Sequence, residues 1–207
     1  MSDEISAVMT ALNQFAANFS DETVLQWGVI LGPKQTLGGY DEQLVLYHNL
    51  TGFTDFLASM SSLGGFNGMN TGSEMILDAL YLSLYNISGN LAHQVNDLEW
   101  TWSVAESQPP KDTFSVNWRP NADKIIIVFS DEHEQSYMTP SITAQNIIDA
   151  ANGAPKVKIY TFSTSLGFQW DEISDATGGK YYDLTNNPTH MYNSLMEILD
   201  EICKSGS

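Results

Sequence analysis

The chain has 207 residues, 43% of them hydrophobic, which is enough for one well-cored domain and too few for two comfortable ones. Its 25 acidic residues against 8 basic ones give a net charge of -17, a surface that repels nucleic acid and anionic lipid and so argues against both as partners. No apolar stretch approaches the roughly 18 residues of a membrane span, Met1-Ser-Asp-Glu has neither the basic region nor the apolar core of a secretory signal, and the lone Cys203 has no partner for a disulfide within the chain.

Ser2 is expected as an N-cap, with Asp3 and Glu4 in a first turn that the helix dipole favours. Ile5, Val8, Met9, Leu12 and Phe15 then recur at helical spacing, predicting an amphipathic helix over 3–18. Residues 24–31 and 43–48 read as strands separated by Gly32-Pro33 and Gly38-Gly39, and so short a connection predicts an antiparallel hairpin. A short helix runs from Phe53 to Leu63 and stops at Gly64-Gly65. The turn-rich loop 65–71 leads into another helical pattern, Met75, Ile76, Ala79, Leu80, Leu82 and Leu84. Residues 89–121 hold Trp100, Trp102, Trp118 and Pro109-Pro110 without a clear period. They read as a long insertion anchored on the core by tryptophans, with one short helix near 91–98.

The second half alternates. Residues 124–130 form an apolar, β-branched run of the kind that suits a strand buried on both faces. A helix over 141–152 ends at Gly153, and a strand over 156–162 follows. A short helix over 169–176 stops at Gly178-Gly179, a strand covers 180–184, and Pro188 opens a last helix to about Cys203. Such alternation predicts an α/β fold in one domain over 1–207: a doubly wound, mostly parallel sheet with one antiparallel edge strand and helices on both faces. Ligands of open α/β sheets gather beyond the carboxyl ends of the strands. Asp131 falls there, followed at once by Glu132, His133 and Glu134.

Four blocks, in order and spacing, now carry a resemblance. They are Thr71-Gly-Ser-Glu-Met-Ile-Leu-Asp-Ala-Leu, Asp131 after its apolar strand, Trp170-Asp-Glu-Ile-Ser-Asp-Ala-Thr-Gly-Gly-Lys-Tyr-Tyr, and the closing helix that ends Glu201-Ile-Cys. From Ser2 to Cys203 the sequence resembles a von Willebrand factor type A domain. In that family an Asp-x-Ser-x-Ser motif after the first strand, a loop threonine and a later aspartate hold a divalent cation. The resemblance implies Thr71 and Asp131 as metal ligands, with Ser2, Asn70, Glu132 and His133 at the rim or in contact with the ligand. Mg²⁺ suits such a site, with Mn²⁺ or Ca²⁺ as substitutes, because a hard cation takes oxygen ligands and leaves a position for an incoming carboxylate. The implied function is therefore non-enzymatic: an adhesion-type module that binds an acidic side chain of a protein partner, outside the cell or on its surface. Three Asn-x-Ser/Thr sequons, at Asn18, Asn49 and Asn86, agree weakly with that location.

The sequence also departs from the family. Met1-Ser-Asp-Glu-Ile resembles the residues just after the Asp-x-Ser-x-Ser motif, so the motif and the strand before it are absent. That strand is central in the family, and its loss predicts two rows of unpaired backbone groups around an apolar slot, filled by an upstream segment or by a second chain, unless the sheet closes without it. Cys203 matches a cysteine that, in several extracellular members, bonds to one ahead of the first strand, which implies an upstream partner. Glu132 replaces the family's usual glycine, and two ligands alone predict weak or absent metal binding. The alternative is a structural or interaction module with a degenerate, metal-free site. A hydrolase has less support. His48, His93, His133 and His190 show no ligand spacing, and Ser163-Thr-Ser-Leu-Gly lacks the framing of a nucleophile elbow.

Overall fold

A computed structural model describes residues 2–17, 25–31, 34–36, 39–41, 45–61, 75–85, 99–100, 116–136, 138–153, 155–164 and 169–205. Helix α1 (Ser2–Ala17) follows the predicted stripe and buries Ala7, Val8, Ala11, Leu12 and Phe15. Ser2 is its first helical residue and not its cap. The predicted hairpin is present as β1 (Trp27–Leu31) paired antiparallel with β4 (Val45–Thr51). Between them lies a small antiparallel ribbon, β2 (Lys34–Thr36) with β3 (Gly39–Asp41). Helices α2 (Phe53–Ser61) and α3 (Ile76–Tyr85) match their apolar patterns. Strand β5 (Glu99–Trp100) falls in the expected insertion, most of which, 91–98 included, lies outside the described residues.

The second half carries the parallel sheet, in order β6 (Lys124–Ser130), β8 (Val157–Ser163), β9 (Tyr181–Asp183). Register runs from Lys124↔Val157 to Ser130↔Ser163, and from Thr161↔Tyr181 to Ser163↔Asp183. A short β7 (Met138–Thr139) pairs antiparallel with β5. Helices α4 (Ala144–Ala151), α5 (Trp170–Thr177) and α6 (Pro188–Ser205) complete the described elements. Thr143 opens α4 through a reciprocal capping box with Asn146, which satisfies two otherwise orphaned helix groups. Gly178 closes α5 in the left-handed region, φ 80°, where a side chain is strained. A Cβ on the next residue, Gly179, would collide with the Ile159 carbonyl oxygen, so glycine here lets the chain pass against β8.

Both faces of this sheet are covered, and β8 shows why. Its odd-numbered Val157 and Ile159 join a core with α3, α4 and α5, while Tyr160 and Phe162 join a second core with α1, α2 and α6. On that second face Phe129, Phe162 and Tyr182 stack across all three strands, with ring centroids 4.8 and 4.9 Å apart. The architecture is thus mixed α/β. One expectation needs correction: the hairpin does not join the parallel strands in a continuous sheet. Among the described residues β1 pairs only with β4, and β6 only with β8, so the sheet is interrupted between β1 and β6.

Candidate functional site

The loop leaving β6 is fixed from several sides. Buried Ser130 accepts a hydrogen bond from Glu132 N at 3.1 Å, turning the chain sharply at the strand end. Thr164 Oγ1, just past β8, donates to Asp131 O at 3.2 Å. Trp170 Nε1 donates to Glu132 O at 2.9 Å, and Gln169 N donates to Glu134 Oε2 at 3.1 Å, so the start of α5 holds the next turn. Leu77 N in α3 donates to Gln135 O at 3.2 Å. Ser136 Oγ donates to the fully buried Asp78 Oδ1 at 2.5 Å and accepts from Ile142 N at 2.9 Å. A buried carboxylate is costly unless hydrogen-bonded, and Ser136 supplies that bond while locking the loop to α3.

This anchoring leaves Asp131 half-buried at the carboxyl end of a parallel strand, with half-buried Glu132 beside it and exposed His133 beyond. His133 Nε2 lies 3.3 Å from Gln135 Nε2, and its Nδ1 lies 3.4 Å from Glu134 O. Of the remaining predicted site residues, Ser2 belongs to α1, while Asn70 and Thr71 lie outside the described residues. Among the described residues no group of three His, Cys, Asp or Glu is placed to hold a metal. Asp131 has the chemistry of one oxygen ligand, but a shell of six or so oxygens is not assembled from the described residues. The roles of Asp78 and Ser136 were missed from sequence. The signal was an acid set within an apolar helical run, Met75 to Leu80.

The interruption between β1 and β6 is a second feature, a cavity of about 440 Å³. It touches four successive residues of β1, Trp27 to Ile30, and six of β6, Lys124 to Phe129. Successive side chains of a strand point to opposite faces, so a cavity that meets every residue lies against the strand's edge. Val8, Leu12 and Leu195 of α1 and α6 close one side, and Ile76, Leu80 and Trp118 close the other. Trp118 is held there by an Nε1–H donated to Ser83 O at 3.1 Å. A mostly apolar cavity therefore lies between β1 and β6.

No protein-family model matches this sequence, and no curated protein matches it at a significant level. What the fold defines is a mixed α/β protein whose three-stranded parallel sheet presents a carboxylate at one strand end and an open slot along one edge.

Proposed function

We propose that the chain is a non-enzymatic binding module of the von Willebrand type A kind, completed as a doubly wound sheet. In this reading Asp131 is one oxygen ligand of a Mg²⁺-type cation, and an acidic side chain of a protein partner fills the open coordination position. The observation that supports it is the place of Asp131: half-buried, immediately beyond a parallel strand, on a loop tied to α3, α5 and the end of β8. A loop pinned at so many points presents a carboxylate at little further cost in ordering. Thr71 and Asn70 are the further ligand and rim residues of this proposal, and Glu132 and His133 border the partner's approach. The module would act outside the cell or at its surface. Among the described residues no helix is long and apolar enough to cross a membrane.

A second reading, a metal-free interaction module, is favoured by the lack of any three-residue metal-capable group among the described residues. Thermal melts in rising Mg²⁺ and Mn²⁺ separate the two. The metal reading expects a Tm that climbs with cation concentration, by a few degrees once the cation exceeds its dissociation constant many-fold, and loses the climb in Asp131→Asn. A Tm unmoved by either cation leaves the metal-free reading.

A further inference from the structure

The carboxyl end of β8 holds a polar group that the Asp131 loop does not use. Ser163, the last residue of the strand, is fully buried, and its Oγ has no hydrogen-bond partner among the described residues. A buried hydroxyl without a partner is costly, so it marks a place where a hydrogen bond is still to be made. Side chains alternate along a strand, so Ser163 projects to the same face as Thr161, whose Oγ1 donates to Trp170 O at 3.1 Å. It stands one rung beyond the first residue of α5, ~7 Å nearer the carboxyl rim.

Two exposed carboxylates flank it. Asp183, the last residue of β9, is the partner of Ser163 in register and shares its face of the sheet. Asp171 lies in the first turn of α5, where its Oδ1 accepts from Glu172 N at 2.9 Å. Tyr181 joins the three, because its phenol donates to Ser163 O at 2.9 Å. Burial, then the negative charges of Asp183 and Asp171, raises that same phenol's pKa above its ordinary value, so both carboxylates act close to Ser163. Among the described residues no three His, Cys, Asp or Glu gather to hold a metal. Two carboxylates and one hydroxyl instead match the three N–H donors of an ammonium. The surroundings carry one sign. Segments 131–136, 169–172 and 183–184 add Glu132, Glu134 and Glu172 and contain no Lys or Arg, while Lys124, Lys156 and Lys180 stand at the other end of the strands. Such a rim attracts a basic polypeptide more strongly than an isolated amine.

We propose that Ser163, Asp171 and Asp183 form a seat for the ammonium group of a lysine side chain, carried on a basic segment of a protein partner. The exposed carboxylates pair with the charge at the mouth, and the long, thin lysine side chain reaches the buried Ser163 Oγ. The seat takes a group of opposite charge to the one proposed for Asp131. It holds whether or not Asp131 takes a cation.

The test uses the whole chain in EDTA, so that its outcome is independent of any cation at Asp131, and a fluorescent tetralysine peptide as the probe. Asp171→Asn combined with Asp183→Asn is expected to weaken binding about tenfold or more. The equal charge change Asp149→Asn with Asp200→Asn, at exposed positions on α4 and α6, is expected to weaken it less than about twofold. Ser163→Ala should weaken binding about threefold or more without lowering Tm, because the hydroxyl makes no bond that the free protein would lose. A tetra(trimethyl-lysine) peptide keeps the charge but has no N–H to donate, and is expected to bind at least about fivefold more weakly. Equal binding of the two peptides, or equal losses in the two double variants, would reduce the effect to general attraction between an acidic protein and a polycation and overturn the proposal. An unchanged affinity in Ser163→Ala overturns it as well, and so does no binding of tetralysine at ~1 mM. N-acetyl-lysine amide binding as tightly as the peptide overturns the protein partner in favour of a free amine.

Discussion

β6 and β8 are neighbours of equal length and similar apolar character, yet they occupy different environments. β8 has a paired strand on each side, and all its residues except Lys158 are buried. β6 carries an Ile-Ile-Ile-Val-Phe run, but only Lys124, Val128 and Ser130 are buried, and its outer edge faces the slot. The comparison separates composition from context. An apolar run states the environment a strand is built for, and packing decides how much of that environment is present. The half that is closed is also rich in internal hydrogen bonds. Buried Thr161 Oγ1 lies 2.5 Å from Ser174 Oγ, and Thr177 Oγ1 accepts from Ile159 N at 3.2 Å, stitching α5 to β8.

The sharpest way to break this contrast is a pair of equivalent truncations. Ile159→Ala, at a fully buried position, is expected to cost about 3–4 kcal/mol by urea unfolding, the range for a buried isoleucine whose site cannot collapse. Ile127→Ala, half-buried at the slot, is expected to cost about 1 kcal/mol, since it gives up only part of its transfer free energy. Equal costs would mean that β6 is as enclosed as β8.

Alkaline titration probes the closed face next. Burial, then the negative charges of Glu197 and Glu201, pushes the Tyr182 phenol up to about 12 from 10.0. Burial and the Glu201 charge push Tyr160 up further still. A raised pKa in the folded state means that the fold holds its protons after the unfolded chain has released them. The stabilising contribution is complete below pH 10.0 and is lost as pH rises toward 12 and beyond. Unfolding free energy measured against pH should therefore fall above about 10, and Tyr182→Phe should flatten that fall. A decline of unchanged steepness in the variant would remove Tyr182 from the explanation. The smallest effect is local. Gly178→Ala places a Cβ at φ 80° and is expected to cost about 1 kcal/mol, leaving β6 untouched.

Much of this fold was legible because long-period patterns announce themselves. The stripe from Val8 to Phe15 gave α1, the Gly178-Gly179 pair marked the end of α5, and the abrupt stop after Phe129 and Ser130 located Asp131. The hairpin followed from two apolar runs a few residues apart. The pieces that escaped are short or depend on distant partners. β2, β3, β5 and β7 span two or three residues each, too few for a period to show. Asp78 stood out as an acid within an apolar helical run, but its partner, Ser136, is 58 residues away and nothing in the sequence joins the two. The slot was expected from the resemblance and located only once β1 and β6 were seen facing it.

The Asp78–Ser136 bond has a consequence for how the two halves communicate. Asp78 belongs to α3, whose next residues, Ala79, Leu80 and Ser83, line the slot, while Ser136 closes the loop that begins at Asp131. One rigid helix therefore touches both the space beside β6 and the turn above it. The walls of the slot and the turn beyond β6 are thus joined through one short stretch of α3, by a single side-chain hydrogen bond from Ser136 Oγ to Asp78 Oδ1.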